Sequence, residues 1–197
     1  MTAGKLSVLT TRILRVHANP DKLNLEMRTA TYRDRGALQR FKCTTASAVT
    51  VYDGIKPQVV QPADSAFELL VQDGITAYKP NPKNRRRIER LGFLNKELVT
   101  VMFAMEIEHG VAYELVYAVS VTWRGTGAAD VMIVDMFRQL APLSSGHDIE
   151  VFAKIHRDNY RSQVLATRHG LEYARPDPDE PQYEQWRGMV IPERYKT

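Results

Sequence analysis

Seven consecutive residues in the middle of the chain, Trp123-Arg124-Gly125-Thr126-Gly127-Ala128-Ala129, have the chemistry of an anion cradle. Glycines let the backbone come close to a ligand and adopt conformations closed to other residues. Residues 127–140 carry apolar side chains at helical spacing. Unpaired N–H groups and the positive end of a helix dipole would therefore face whatever docks at the loop. Arg124 adds a full charge. A diphosphate fits such a site, and a tight turn before a helix has the same composition. No Gly-Lys-Ser or Gly-Lys-Thr follows, which excludes a P-loop. Asp130 stands where the G-x-G-x-x-G dinucleotide fingerprint needs a third small residue.

Other reactive residue types form no comparable constellation. His17, His109, His147, His156 and His169 lack metal-ligand spacing, so no metal is expected. The single cysteine, Cys43, excludes an intramolecular disulfide, suits a reducing cytoplasm, and reads as a small buried apolar residue rather than a nucleophile. Arg85, Arg86 and Arg87 with Lys83 make a basic loop that reads as a solvated turn or, as a weaker alternative, a nucleic-acid contact. The formal net charge of +4 fits a surface that attracts anions.

The elements that must position the cradle follow from periodicity. The 197 residues, 44% of them hydrophobic, suffice for one compact domain with a short extension. No apolar run approaches the ~18 residues of a membrane span, and the N-terminus lacks a secretory h-region. Residues 1–24 read as an extension with a short amphipathic helix, and residues 25–197 as a single domain. Residues 25–30 are expected to form a strand, 34–41 a helix and 66–78 another helix, with no assignment for the turn-rich stretch 44–62. Residues 87–93 lean to strand. The apolar runs 98–107 and 112–122 around His109-Gly110 predict an antiparallel hairpin.

The period then changes. Ala129, Ile133, Met136 and Leu140 form one helical stripe, opposite Asp130, Arg138 and Gln139. Ile149, Val151, Ala153 and Ile155 alternate with Glu150, Phe152, Lys154 and His156 as in a half-buried strand. Asp158 is placed to cap a helix running to about Arg168, with Gly170 at its left-handed C-terminus. A loop at 176–181 leads to a last strand at 183–191. Strand, helix and strand across 122–155 imply parallel neighbours joined by a right-handed crossover, within an α/β or α+β mixed sheet.

In this context the sequence resembles the GNAT N-acetyltransferases, whose acyl-CoA signature [RQ]-x-x-G-x-[GA] opens a helix after the family's fourth strand. Residues 124–129 match each fixed position. Downstream, Asn159-Tyr160-Arg161-Ser162 followed by His169-Gly170-Leu171 is similar to the family's N-x-x-[SA] helix ending in Gly-Phe, with Leu171 in place of Phe. The resemblance covers residues 97–192.

It implies a GNAT-like, mostly antiparallel twisted sheet with flanking helices and a splayed parallel strand pair. It also implies acetyl-CoA as acyl donor, and direct attack on the thioester by a primary amine in a ternary complex. The acceptor class stays open: a small molecule, a protein or an aminoacyl-tRNA. A homodimer is compatible with the reading, and a cytoplasmic location without membrane contact is expected. The alternative is a non-catalytic GNAT-like module that binds acyl-CoA, protein or nucleic acid. By resemblance the cofactor-binding residues are Val119, Ser120, Val121, Arg124, Gly125, Thr126, Gly127, Ala128, Ala129, Asn159 and Ser162, with the pantetheine arm between 119–121 and 149–153. A backbone N–H near Val119 would polarise the thioester carbonyl. The helical position where the family often carries an acidic tyrosine is Ala166 here, and Tyr160 lies too early in the helix. By resemblance to the histone-acetyltransferase branch, Glu114 is the candidate base, with Glu106 on the preceding strand as the alternative. Glu114 and Val119 are an odd number of residues apart and face opposite ways unless a bulge alters the phase. Apolar surroundings would raise the Glu114 pKa.

Overall fold

A computed structural model describes residues 23–43, 49–53, 56–60, 87–144 and 146–195. Expectations for a helix in the N-terminal extension, a helix at 66–78 and the basic loop before Arg87 lie outside these residues. In chain order the elements are β1 (Glu26–Thr29), α1 (Arg35–Arg40), β2 (Val49–Asp53), β3 (Lys56–Val60), β4 (Arg87–Leu94), β5 (Glu97–Glu108) and β6 (Ala112–Val119). Then follow α2 (Ala128–Leu140), β7 (Ile149–His156), α3 (Tyr160–Arg168), β8 (Glu172–Pro176) and β9 (Tyr183–Val190).

Seven strands form one sheet in the order β1-β4-β5-β6-β7-β9-β8, while β2 and β3 pair with each other in the stretch left unassigned from sequence. All neighbours in the large sheet are antiparallel except β6 and β7, the parallel pair that the 122–155 unit requires. β5 is apolar nearly throughout because both its faces are covered. Leu98, Val101 and Phe103 meet Leu38 and Phe41 on the α1 side, and Met102 and Ala104 join the core under α2 and α3. That second core is the larger and collects Tyr113, Leu115, Met132, Met136, Phe137, Val151, Ile155 and Leu165.

Four expectations need correction. The second arm of the hairpin ends at Val119, and residues 121–123 turn as a 3-10 helix, because Val121 bonds outside the sheet. Asp130 does not face solvent. It is buried between α2 and α3, where Arg168 and His169 both donate to it. The cap of α3 is Asn159, not Asp158, since the Asn159 side chain accepts from the Ser162 N–H. β8 was missed altogether: its residues are all exposed, so hydrophobic alternation gave no signal for an edge strand.

Candidate active site

The parallel pair is short. Ala112 pairs with Glu150, Tyr113 with Val151 and Glu114 with Phe152, and beyond that register β6 and β7 part. Residues 150–152 are thus occupied by pairing, and the open stretch of β7 toward the split is 153–156 rather than 149–153. On β6 the Ser120 N–H donates to the Val99 carbonyl at 2.8 Å, next to the Thr100–Val119 pair. Antiparallel ladders alternate, so the Val119 N–H and C=O point away from β5, toward the split. The same phase follows from the other end, where the Val111 carbonyl accepts from Glu150 on β7 at 2.8 Å. Tyr117 and Val119, with the Leu115 carbonyl, therefore line the split with backbone groups that no strand pairs among the described residues, while the Leu115 N–H belongs to the last β6–β7 pair. Ser120 and Val121 do not contribute their N–H groups: Ser120 bonds Val99, and Val121 bonds the Lys42 carbonyl at 3.0 Å.

Both helices that follow the parallel strands begin at the open end of this split, because parallel strands end on the same side. α2 starts after Gly127, whose φ of 89° places it in the left-handed region, as does the 79° of Gly125. Thr126 ties the loop by donating to the Trp123 carbonyl at 2.7 Å. Among the described residues the N–H groups of residues 125–129 have no acceptor, although Ala128 is buried. That run of N–H groups, at the positive end of a 13-residue helix, fits a diphosphate. Arg124 reaches back to the Cys43 carbonyl, and Cys43 itself is buried beside α1. At the neighbouring helix start, Asn159 Oδ1 accepts from the Ser162 N–H at 3.2 Å, a capping bond. The Ser162 hydroxyl lies 2.7 Å from that of Tyr117.

Tyr117 escaped the sequence reading. The signal available was strand phase: Leu115, Tyr117 and Val119 share the face covered by α2 and α3, and a polar tip among them needs a partner. Burial raises the Tyr117 pKa, against the opposing hydrogen bond from Ser162, so the phenol stays protonated at neutral pH.

The two carboxylates separate clearly. Glu106 is buried and its Oε1 accepts from the Gly110 N–H at 2.9 Å and from the Tyr113 hydroxyl at 3.1 Å, with His109 Nδ1 at 3.2 Å. It holds the β5–β6 turn. Glu114 is half-buried at the last β6–β7 pair, on the α1 face. Burial raises its pKa, Lys154 opposes and Asp177 adds to the rise. No bulge interrupts β6 between Glu114 and Val119. The irregularity lies opposite Ala112, on β5, so the two side chains do occupy opposite faces. Among the described residues no cluster of three His, Cys, Asp or Glu side chains could hold a metal, and no helix is long and apolar enough to cross a membrane.

A seven-stranded, mostly antiparallel sheet whose one parallel pair splits beside two helix N-termini is a specific architecture, and solved structures share it. The protein has the fold of the GNAT acetyltransferases. A PaiA N-acetyltransferase from Thermoplasma acidophilum in complex with coenzyme A superposes with a TM-score of 0.58 at 12% identity, over 84% of this chain and 99% of its own. A GNAT-family acetyltransferase from Streptococcus pneumoniae gives 0.56 at 10% identity, over 85% and 99%. A spermidine N-acetyltransferase SpeG chimera from Vibrio cholerae and hSSAT gives 0.54 at 15%, over 87% and 97%. No protein-family model matches the chain, and no curated protein matches it either.

Proposed function

We propose that this protein is a GNAT-superfamily N-acetyltransferase that moves an acetyl group from acetyl-CoA to a primary amine by direct attack. The observation that carries the reading is the coincidence of two donor sets at one end of the sheet: the split-facing Val119 N–H and the acceptor-less N–H groups of residues 125–129. When bound, acetyl-CoA supplies the activated acyl group.

In this reading residues 125–129 hold the diphosphate, and Tyr117 and Val119, with the Leu115 carbonyl, offer an unpaired strand edge to the amide-bearing arm. The Val119 N–H polarises the carbonyl to be attacked. Tyr117 holds a proton on Oη for the departing sulfur, a role Ala166 is chemically unable to fill. Glu114 removes the amine proton. Five residues of strand place it about 16 Å from Val119 at ~3.3 Å per residue, so the proton travels through water. Glu106 is assigned to the turn and not to catalysis.

The test is binding. Acetyl-CoA at 100 times its dissociation constant should add roughly 2.7 kcal/mol of stability. Gly127→Asp should abolish that gain, since it puts a side chain and a negative charge into the cradle at a left-handed position. Unchanged affinity in a folded Gly127→Asp protein would sink the assignment.

A further inference from the structure

The α1 face carries a groove of about 390 Å³ beside the end of β6. Its floor includes Phe41 and Leu98, and its rim carries Arg40, Lys42, Lys96 and Glu97. None of the three cations forms an ion pair among the described residues, and all three are exposed. Glu97 is committed elsewhere: its carboxylate accepts from Trp123 Nε1 at 3.1 Å and from the Thr122 hydroxyl at 3.5 Å. Among its described lining residues the groove therefore has an excess of two positive charges and no carboxylate paired with them.

Its position matters as much as its charge. Ser120 lines it and immediately follows Val119, whose N–H faces the split. β6 alternates its faces, so Val116 and Ala118 pack toward α1, while Leu115 and Tyr117 pack under α2 and α3. A molecule in the groove would thus reach the split from the face opposite those two helices. The segment after α1 is fixed against this end of β6 by the Val121–Lys42 and Arg124–Cys43 bonds, which hold Lys42 at the rim.

We propose that the groove receives a negatively charged group of the acceptor, so that the acceptor is a primary amine also bearing a carboxylate or phosphate. This rests on the acyltransferase reading above. The same charges disfavour polyamines, whose every site is cationic.

The experiment titrates CoA-saturated protein calorimetrically with matched pairs: amino acids against their amides, and phosphoethanolamine against ethanolamine, with spermidine as a cationic control. The anionic member of at least one pair should bind about tenfold tighter than its neutral partner, and which pair does so separates carboxylate from phosphate. Lys42→Glu combined with Lys96→Glu should erase that preference while leaving CoA affinity within about twofold. The proposal is overturned if neutral amines or spermidine bind as well as the anionic members, or if no anionic member binds. It is also overturned if the double variant weakens CoA but not dephospho-CoA, which would give the cations to the cofactor's own phosphate. Failure of CoA to bind the wild-type protein is a separate result: it removes the acyltransferase reading and the acceptor proposal with it.

Discussion

The phenol oxygen of Tyr117 on β6 lies 2.7 Å from the hydroxyl of Ser162 in the first turn of α3. One bond thus ties the strand on one side of the split to the helix that follows the strand on the other. Tyr117→Phe should cost about 1 kcal/mol of stability and lower turnover by roughly 10² if Oη supplies the leaving group's proton. Ser162→Ala removes the same bond but keeps the phenol, so it should lose similar stability and retain turnover within a few-fold. Equal losses of turnover in both variants would reduce Tyr117 to a tie between elements. Because burial raises the Tyr117 pKa, its contribution to stability is present below the ordinary tyrosine value near ~10 and falls away above it. Tyr117→Phe should lack that alkaline loss in denaturation curves.

Asn159 has a bond that explains its presence without any ligand, the cap on the Ser162 N–H. Asn159→Ala should therefore cost about 1 kcal/mol, and the loss should be equal with and without acetyl-CoA. Asn159→Asp keeps the cap and should restore most of it. A loss much larger in the presence of acetyl-CoA would show that the side chain also holds the cofactor.

Glu114 and Glu106 make opposite predictions. Glu114→Gln should lower turnover by roughly 10² and remove the acidic limb of the pH–rate profile. The stability effect has the reverse sign. Burial raises the Glu114 pKa, so ionising it costs the folded state as pH rises through that value. The variant should be slightly more stable than wild type at pH 7, by less than about 1 kcal/mol after solvent screening. That advantage should disappear below the ordinary glutamate pKa. Glu106→Gln should instead destabilise the β5–β6 turn and leave the shape of the profile unchanged. If Glu106→Gln abolishes turnover in folded protein while Glu114→Gln does not, the assignments are reversed.

The readable parts of this sequence are those where one physical rule dominates. The 127–140 helix, the alternating β7 and the glycine that ends α3 each follow from period or backbone freedom, and the parallel pair followed from their order. Where two rules compete, the sequence is ambiguous. Asp130 looks like a solvated helix residue, and only the packing of α3 turns it inward to Arg168 and His169. Asp158 and Asn159 are both good caps, and the turn after β7, closed by the Asn159 N–H on the His156 carbonyl, leaves the second at the helix start. β8 is exposed and carries no period at all. At the site, the loop of residues 124–129 was legible because its glycines are conformational necessities. The places of Tyr117, Lys42 and Lys96 were not, since each depends on which face of the sheet its neighbours cover.

Asp130 offers the sharpest test of how the start of α2 is held against the end of α3. Its Oδ1 accepts from Arg168 at 2.7 Å and from His169 Nε2 at 3.0 Å, and its Oδ2 accepts from Arg168 at 2.8 Å. Burial pushes its pKa up, but the hydrogen bonds and charges of His169 and Arg168 outweigh that and leave it below the ordinary carboxylate value. A depressed carboxylate pKa gives stability that is fully present above the unfolded value, near ~3.9, and is lost as pH falls through the folded one. Asp130→Asn keeps the volume, removes the charge and turns one acceptor into a donor facing donors. It should cost about 1–3 kcal/mol at pH 7, with the gap to wild type closing as pH falls below the ordinary carboxylate value. Since Asp130 sits in the first turn of α2 and its partners at the end of α3, the variant should also loosen acetyl-CoA modestly, within about tenfold. Urea unfolding at several pH values and one calorimetric titration measure both effects. A gap that persists in strong acid would mean that the lost interaction is packing rather than charge, and that the ion pair does not set the register of the two helices.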